Sequence, residues 1–145
     1  MKIIVYSEIE CYADARDNKI SDTGYCIISI RDIGKEPINN FKLRKNVVDV
    51  LSLSFDDVIE PSTGMASDDA RRVVSFIRSN IKRIDTIVIH CFAGQSRSYT
   101  IGLELSKYYN AELVTLNKNV RVNILVQQKM IEQLKRDKNG NIDWT

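Results

Sequence analysis

A central, mainly parallel sheet flanked by helices, within one α/β domain, is the fold class the sequence predicts. Short β-rich runs give way, in the second half of the chain, to segments whose apolar residues recur at helical spacing. One run, "TIVIH" at 86–90, is apolar on both faces, as a parallel strand covered by helices on both sides must be. A length of 145 residues suits a single core of ordinary size.

Each element has its own signal. "KIIVYS" and "YCIISIR" are early strands, the second bounded by Asp22-Thr23-Gly24 and by Asp32-Ile33-Gly34. A third strand lies within 46–55, where Val48, Val50, Leu51, Leu53 and Phe55 partly alternate before polarity switches at Asp56-Asp57. Ser67 is a helix N-cap candidate with Asp68 and Asp69 in the first turn, and Val73, Val74, Ile77 and Ile81 form one apolar stripe. That helix leads into strand 86–90. A helix starting near 97 carries Ile101, Leu105 and Tyr108 as far as Asn110, and a last one, about 120–136, carries Leu125, Val126, Met130 and Leu134. From about 137 the polar "DKNGNID" reads as a loose tail. It lacks the closing glutamate of a calcium loop.

Composition narrows the function classes. The chain is 43% hydrophobic and 28% charged without repeats, which excludes disordered and solenoid architectures. A net charge of +2, with Lys and Arg dispersed, gives no case for a nucleic-acid partner. No apolar run reaches the roughly 20 residues that span a bilayer, and "MKIIVYSEIE" meets charge too early for a signal peptide, so no membrane partner and a cytoplasmic location are expected. Cys11, Cys26 and Cys91, with no CxxC pair and one histidine, form neither a disulfide framework nor a closed zinc site. Cys11 and Cys26 read as core packing, and Tyr108-Tyr109 as core and rim at a helix end.

The chemistry concentrates in "HCFAGQSRS", residues 90 to 98, at the carboxyl end of the central strand, where ligands collect in such sheets. A tight loop with Gly94 inside it can turn its backbone N–H groups inward, and the following helix N-terminus adds donors and a positive dipole end. This is a cradle for an oxyanion. The same donors favour a thiolate, which makes Cys91 a nucleophile candidate. Arg97 offers a planar, permanently charged fork suited to two phosphate oxygens. Nucleophile and anion site together point to phosphoryl transfer.

His-Cys-x5-Arg-Ser resembles the signature of the cysteine-dependent protein tyrosine phosphatases, and "HCxxGxSRS" is most similar to their dual-specificity branch. "YCIISIRD" resembles the early strand of compact prokaryotic and phage-type members. The resemblance implies one catalytic domain over 1–145, acting as a monomer without metal or cofactor. It implies Cys91 as nucleophile, Arg97 as phosphate clamp, and Ser98 as the hydroxyl that assists breakdown of the intermediate. Phe92, Ala93, Gly94, Gln95 and Ser96 complete the phosphate-binding loop, and His90 orients its backbone. The general acid falls on the Asp56–Asp57 pair: Asp57 is preferred by the strand register of "LSLSFDD", with Asp56 as the alternative. A phosphorylated protein or peptide is the implied substrate and phosphate the product, with other oxyanions as inhibitors.

"FAGQS" lacks the lysines of the inositol-phosphate phosphatases, which disfavours a polyanionic headgroup; an RNA 5′-phosphate stays open. A rhodanese-like sulfurtransferase also uses a loop cysteine but needs no acid, so the Asp56–Asp57 pair favours the phosphatase. A silent phosphopeptide-binding module typically loses the Cys, Arg or Asp, and all three are here.

Overall fold

Ile87, Val88 and Ile89 follow one another and all are fully buried, which a strand achieves only between two covered faces. The computed structural model describes residues 1–138 and builds those two faces from β1 (Lys2–Ser7), α1 (Glu8–Arg16), β2 (Tyr25–Arg31), β3 (Val47–Ser54), α2 (Ser67–Asn80), β4 (Thr86–Cys91), α3 (Arg97–Tyr109), β5 (Glu112–Thr115) and α4 (Ile124–Lys138). The five strands pair in parallel in the order β3-β2-β4-β1-β5, with β4 at the centre. The expected α/β class is therefore observed, with a sheet that is parallel throughout.

Side-chain alternation sorts residues into two cores. Ile3, Ile28, Ile30, Ile87 and Ile89 face α2, α3 and α4, which contribute Val73, Val74, Ile77, Ile101, Leu105, Val126, Met130 and Leu134. Ile4, Tyr6, Ile27 and Val88 face the smaller cover, made by Cys11 and Ala15 of α1 and by Phe41 of a 3-10 turn at Asn40–Leu43. Each large aliphatic so buried contributes about 1.5–3 kcal/mol.

The connections after β1 and β4, neighbours in the sheet, thus leave on opposite faces. That arrangement opens a crevice at the carboxyl ends of the two strands.

Several sequence expectations need correction. Helix α1 was not expected. It buries only Cys11 and Ala15 and so has no stripe, but Ser7 and Glu10 close a capping box: Ser7 Oγ accepts from Glu10 N–H at 3.2 Å and Glu10 Oε1 from Ser7 N–H at 3.0 Å. The four-residue β5 was missed too. It follows directly on the left-handed cap of α3 at Asn110 (φ 52°) and is too short to show alternation.

Ser67 is the first helical residue of α2, not its cap. Ala66 caps it, and its N–H donates to Asp69 Oδ2 at 2.9 Å. The last helix starts at Ile124, because Asn123 caps it through Oδ1, accepting from Val126 N–H at 3.1 Å. The loose tail expected from about 137 does not include Asp137 and Lys138, which are helical: α4 runs to Lys138, and Asp137 accepts from Arg78 Nη1 at 2.8 Å and from the Tyr108 hydroxyl. The rest of that tail lies outside the described residues. Among the described residues, no helix is long and apolar enough to cross a membrane.

Candidate active site

Strand β4 ends at Cys91 and α3 begins at Arg97, so residues 92 to 96 must reverse the chain in five steps. Gly94 makes this possible with a φ of +70°, a region costly for other residues. A Cβ there would also lie 2.7 Å from Ser7 N and 2.7 Å from Tyr6 C, so the loop sits directly against the β1–α1 junction. The N–H of Glu8 pins it further, donating to Phe92 O at 3.1 Å. The backbone N–H groups of residues 93 to 96 find no protein acceptor among the described residues. Unpaired amides beside a helix N-terminus form a concavity suited to an anion.

At the base of this loop Cys91 is 2% exposed, with Sγ 3.0 Å from Ser98 Oγ in the first turn of α3. Arg97 is buried alongside. Its Nη1 donates to Asp32 Oδ1 at 2.7 Å and to Phe55 O at 2.8 Å, while its buried Nε has no partner. A buried, unpaired guanidinium donor is costly unless a ligand completes it.

His90 stands behind the loop, fully buried. The carbonyl oxygen of Cys91 can only accept, so Nδ1, 3.3 Å away, carries the hydrogen and Nε2 accepts from the Ser29 hydroxyl at 2.6 Å. Parallel register makes this pair, since Ser29 and His90 are partners across β2 and β4. The ring also meets Phe41 edge-on at 5.6 Å. Burial pushes its pKa down to about 4, so the imidazole is neutral and holds the loop base by its N–H.

The Asp56–Asp57 pair follows the end of β3 and splits in two directions. Asp57 Oδ1 accepts from Ser96 Oγ at 2.9 Å and from Asn123 Nδ2 at 2.9 Å, and Oδ2 is 3.5 Å from Arg121 Nη2. Asp56 Oδ1 instead accepts from Ile33 N–H at 3.1 Å. A cleft of about 440 Å³ collects Cys91, Phe92, Ala93, Gln95, Ser96 and Arg97 with Asp32, Asp56, Asp57 and Arg121. Among the described residues no three His, Cys, Asp or Glu side chains converge as a metal site.

Three expected site residues sit just outside the cleft, and two residues at the site escaped notice. His90, Gly94 and Ser98 support the cleft from behind rather than line it. Asp32 and Asn123 were given no role from sequence. Asp32 follows the strand next to β4, and that position was the signal available. Asn123 was masked by a helix expected from about 120, although Asn is a favoured cap. Cys11 and Cys26 are buried free thiols whose pKa burial raises, Cys26 to about 12, which fits inert packing.

No protein-family model matches the chain, and no curated protein does. A solved structure described as Tk-PTP in the active form aligns over 84% of this chain and 71% of that one, at 12% identity and a TM-score of 0.43. That is a slight likeness, and the reading of the site rests on its own residues.

Proposed function

We propose that the chain hydrolyses phosphate monoesters through a cysteinyl-phosphate intermediate, acting on protein phosphotyrosine alone or together with phosphoserine and phosphothreonine. The observation that carries this reading is the meeting, in one cleft, of a thiol, a buried arginine with an unpaired donor, and an aspartate on a separate loop.

In this scheme the Cys91 thiolate attacks phosphorus while the P–O bond to the leaving group breaks. Asp57 gives its proton to the departing oxygen. The amides of 93 to 96 and Arg97 hold the equatorial oxygens as charge shifts. Water then attacks the cysteinyl-phosphate, Asp57 takes its proton, and phosphate and thiolate are released. The Ser98 hydroxyl, 3.0 Å from Sγ, donates to the thiolate as it leaves. Asp57 is favoured over Asp56 because its carboxylate is bonded to Ser96 of the phosphate loop, whereas that of Asp56 is turned to the Ile33 amide. The dual-specificity branch, a cytoplasmic location and a monomeric state belong to the same proposal.

The test is phosphate release from p-nitrophenyl phosphate by wild type and Cys91→Ser. Wild type should turn over and the variant should not. Equal turnover by both would remove Cys91 from the reaction.

A further inference from the structure

Exposed large apolar side chains gather at the end of the sheet that carries the cleft. Ile9 follows β1, Ile33 follows β2, Ile59 follows β3, Phe92 follows β4 and Val122 lies in the loop after β5, with exposures of 79%, 53%, 66%, 69% and 39%. Of the segments that enter strands, 17–24, 81–85 and 110–111 contribute none, while Leu43 before β3 and Met1 before β1 are single exposed side chains outside this group. Separate segments have thus placed apolar side chains in water around one charged hollow. Such a concentration marks a surface that meets a partner.

The collar is tied to the cleft at each point. Phe92 lines it, and the Ile33 N–H donates to Asp56, which also lines it. Ile59 and Val122 line an adjoining hollow whose wall shares Asp57, Ser96 and Arg121 with the cleft. Ile9 lies beside Glu8, whose N–H holds Phe92.

Charge decides what kind of partner fits. The cleft presents Asp32, Asp56 and Asp57 against Arg97 and Arg121, and both guanidiniums are already beside carboxylates, at 2.7 Å and 3.5 Å. Glu60 adds another exposed carboxylate next to Ile59. A polyanion such as RNA would meet the carboxylates of this rim with repulsion, and both guanidiniums of the cleft are already engaged by them. A small hydrophilic phosphate ester would leave the apolar collar bare.

We propose that the collar is a docking surface for phosphopeptides whose phosphorylated residue is flanked by aliphatic or aromatic side chains, without acidic neighbours. The proposal rests on the phosphatase reading above and adds what selects the substrate.

The experiment compares kcat/KM on p-nitrophenyl phosphate, on phosphotyrosine peptides with Leu and Val, Ser, or Glu at the flanking positions, and on a 5′-phosphorylated oligonucleotide. Wild type should prefer the Leu/Val peptide over the Ser peptide by about tenfold, as expected for one large apolar contact. The Glu peptide should be poorer still. The double variant Ile33→Ser, Ile59→Ser should lose that preference and keep the wild-type rate on p-nitrophenyl phosphate within about twofold, because both side chains are outside the reaction.

Turnover of p-nitrophenyl phosphate with equal use of the three peptides would overturn the docking surface and spare the phosphatase. No turnover of any substrate would remove both. A better rate on the oligonucleotide than on any peptide would overturn the proposal. So would a wild-type dimer in light scattering that the double variant converts to monomer, since the collar would then join two copies of the chain.

Discussion

Replacing His90 by Asn should make the protein's stability less sensitive to acid, by an amount the burial of the ring sets. Burial holds the imidazole neutral and pushes its pKa down to about 4, against 6.5 for an ordinary histidine. Below about pH 6.5 the unfolded chain takes up a proton that the fold refuses until about pH 4. The stability that depends on a neutral ring is therefore complete above pH 6.5 and is lost as pH falls towards 4. A gap of roughly 2.5 pH units at ~1.36 kcal/mol each is a loss of about 3 kcal/mol.

Asn keeps an N–H for the Cys91 carbonyl but has no titrating site, so His90→Asn starts from lower stability and lacks this loss. Urea unfolding of both proteins from about pH 7 to about pH 4.5 isolates the effect, because carboxylates titrate alike in each. The wild-type curve should fall more steeply by up to about 1.4 kcal/mol per pH unit. Parallel profiles would mean that His90 is not buried as a neutral ring, and the account of what braces the loop base would fail.

Two further outcomes follow from the cleft. Gly94→Ala meets both a positive φ and the Ser7–Tyr6 backbone at 2.7 Å, so it should cost about 1–3 kcal/mol in thermal unfolding, and added phosphate, expected to stabilise wild type, should not stabilise the variant. Retained stabilisation by phosphate would show that the loop tolerates a Cβ. Asp57→Ala should lower kcat on phosphotyrosine by about 10²–10⁴-fold, with a smaller loss on aryl phosphates of good leaving ability, while Asp56→Ala stays within a few-fold. The reverse pattern would move the acid to Asp56.

The fold was legible wherever one face or both faces of an element are buried in a regular rhythm. "TIVIH" gave the central strand because each of its residues is covered, and α2 showed Val73, Val74 and Ile77 as a stripe because a whole helix face packs on the sheet. Helix α1 buries too little to leave a rhythm; its capping box was the signal. At the site, the local constellation from His90 to Ser98 could be read because its spacing is set within one turn between strand and helix. Ser29, Asp32 and Asn123 could not, because their roles depend on which strands lie side by side. The partner of His90 comes from parallel register across β2 and β4, and Asn123 reaches Asp57 from 66 positions away. Contacts of that kind exist only once the sheet order is fixed.

The central claim is that Cys91 carries the phosphoryl group. Mixing the protein with an aryl phosphate, quenching in acid within the first turnovers and analysing the digested peptides by mass spectrometry tests it directly. The account predicts a phosphoryl group on the peptide containing Cys91, present in wild type, enriched in Ser98→Ala, whose thiolate leaves without its hydroxyl donor, and missing from Cys91→Ser. Turnover with no phosphoryl group on that peptide, or with the group on another residue, would contradict the mechanism.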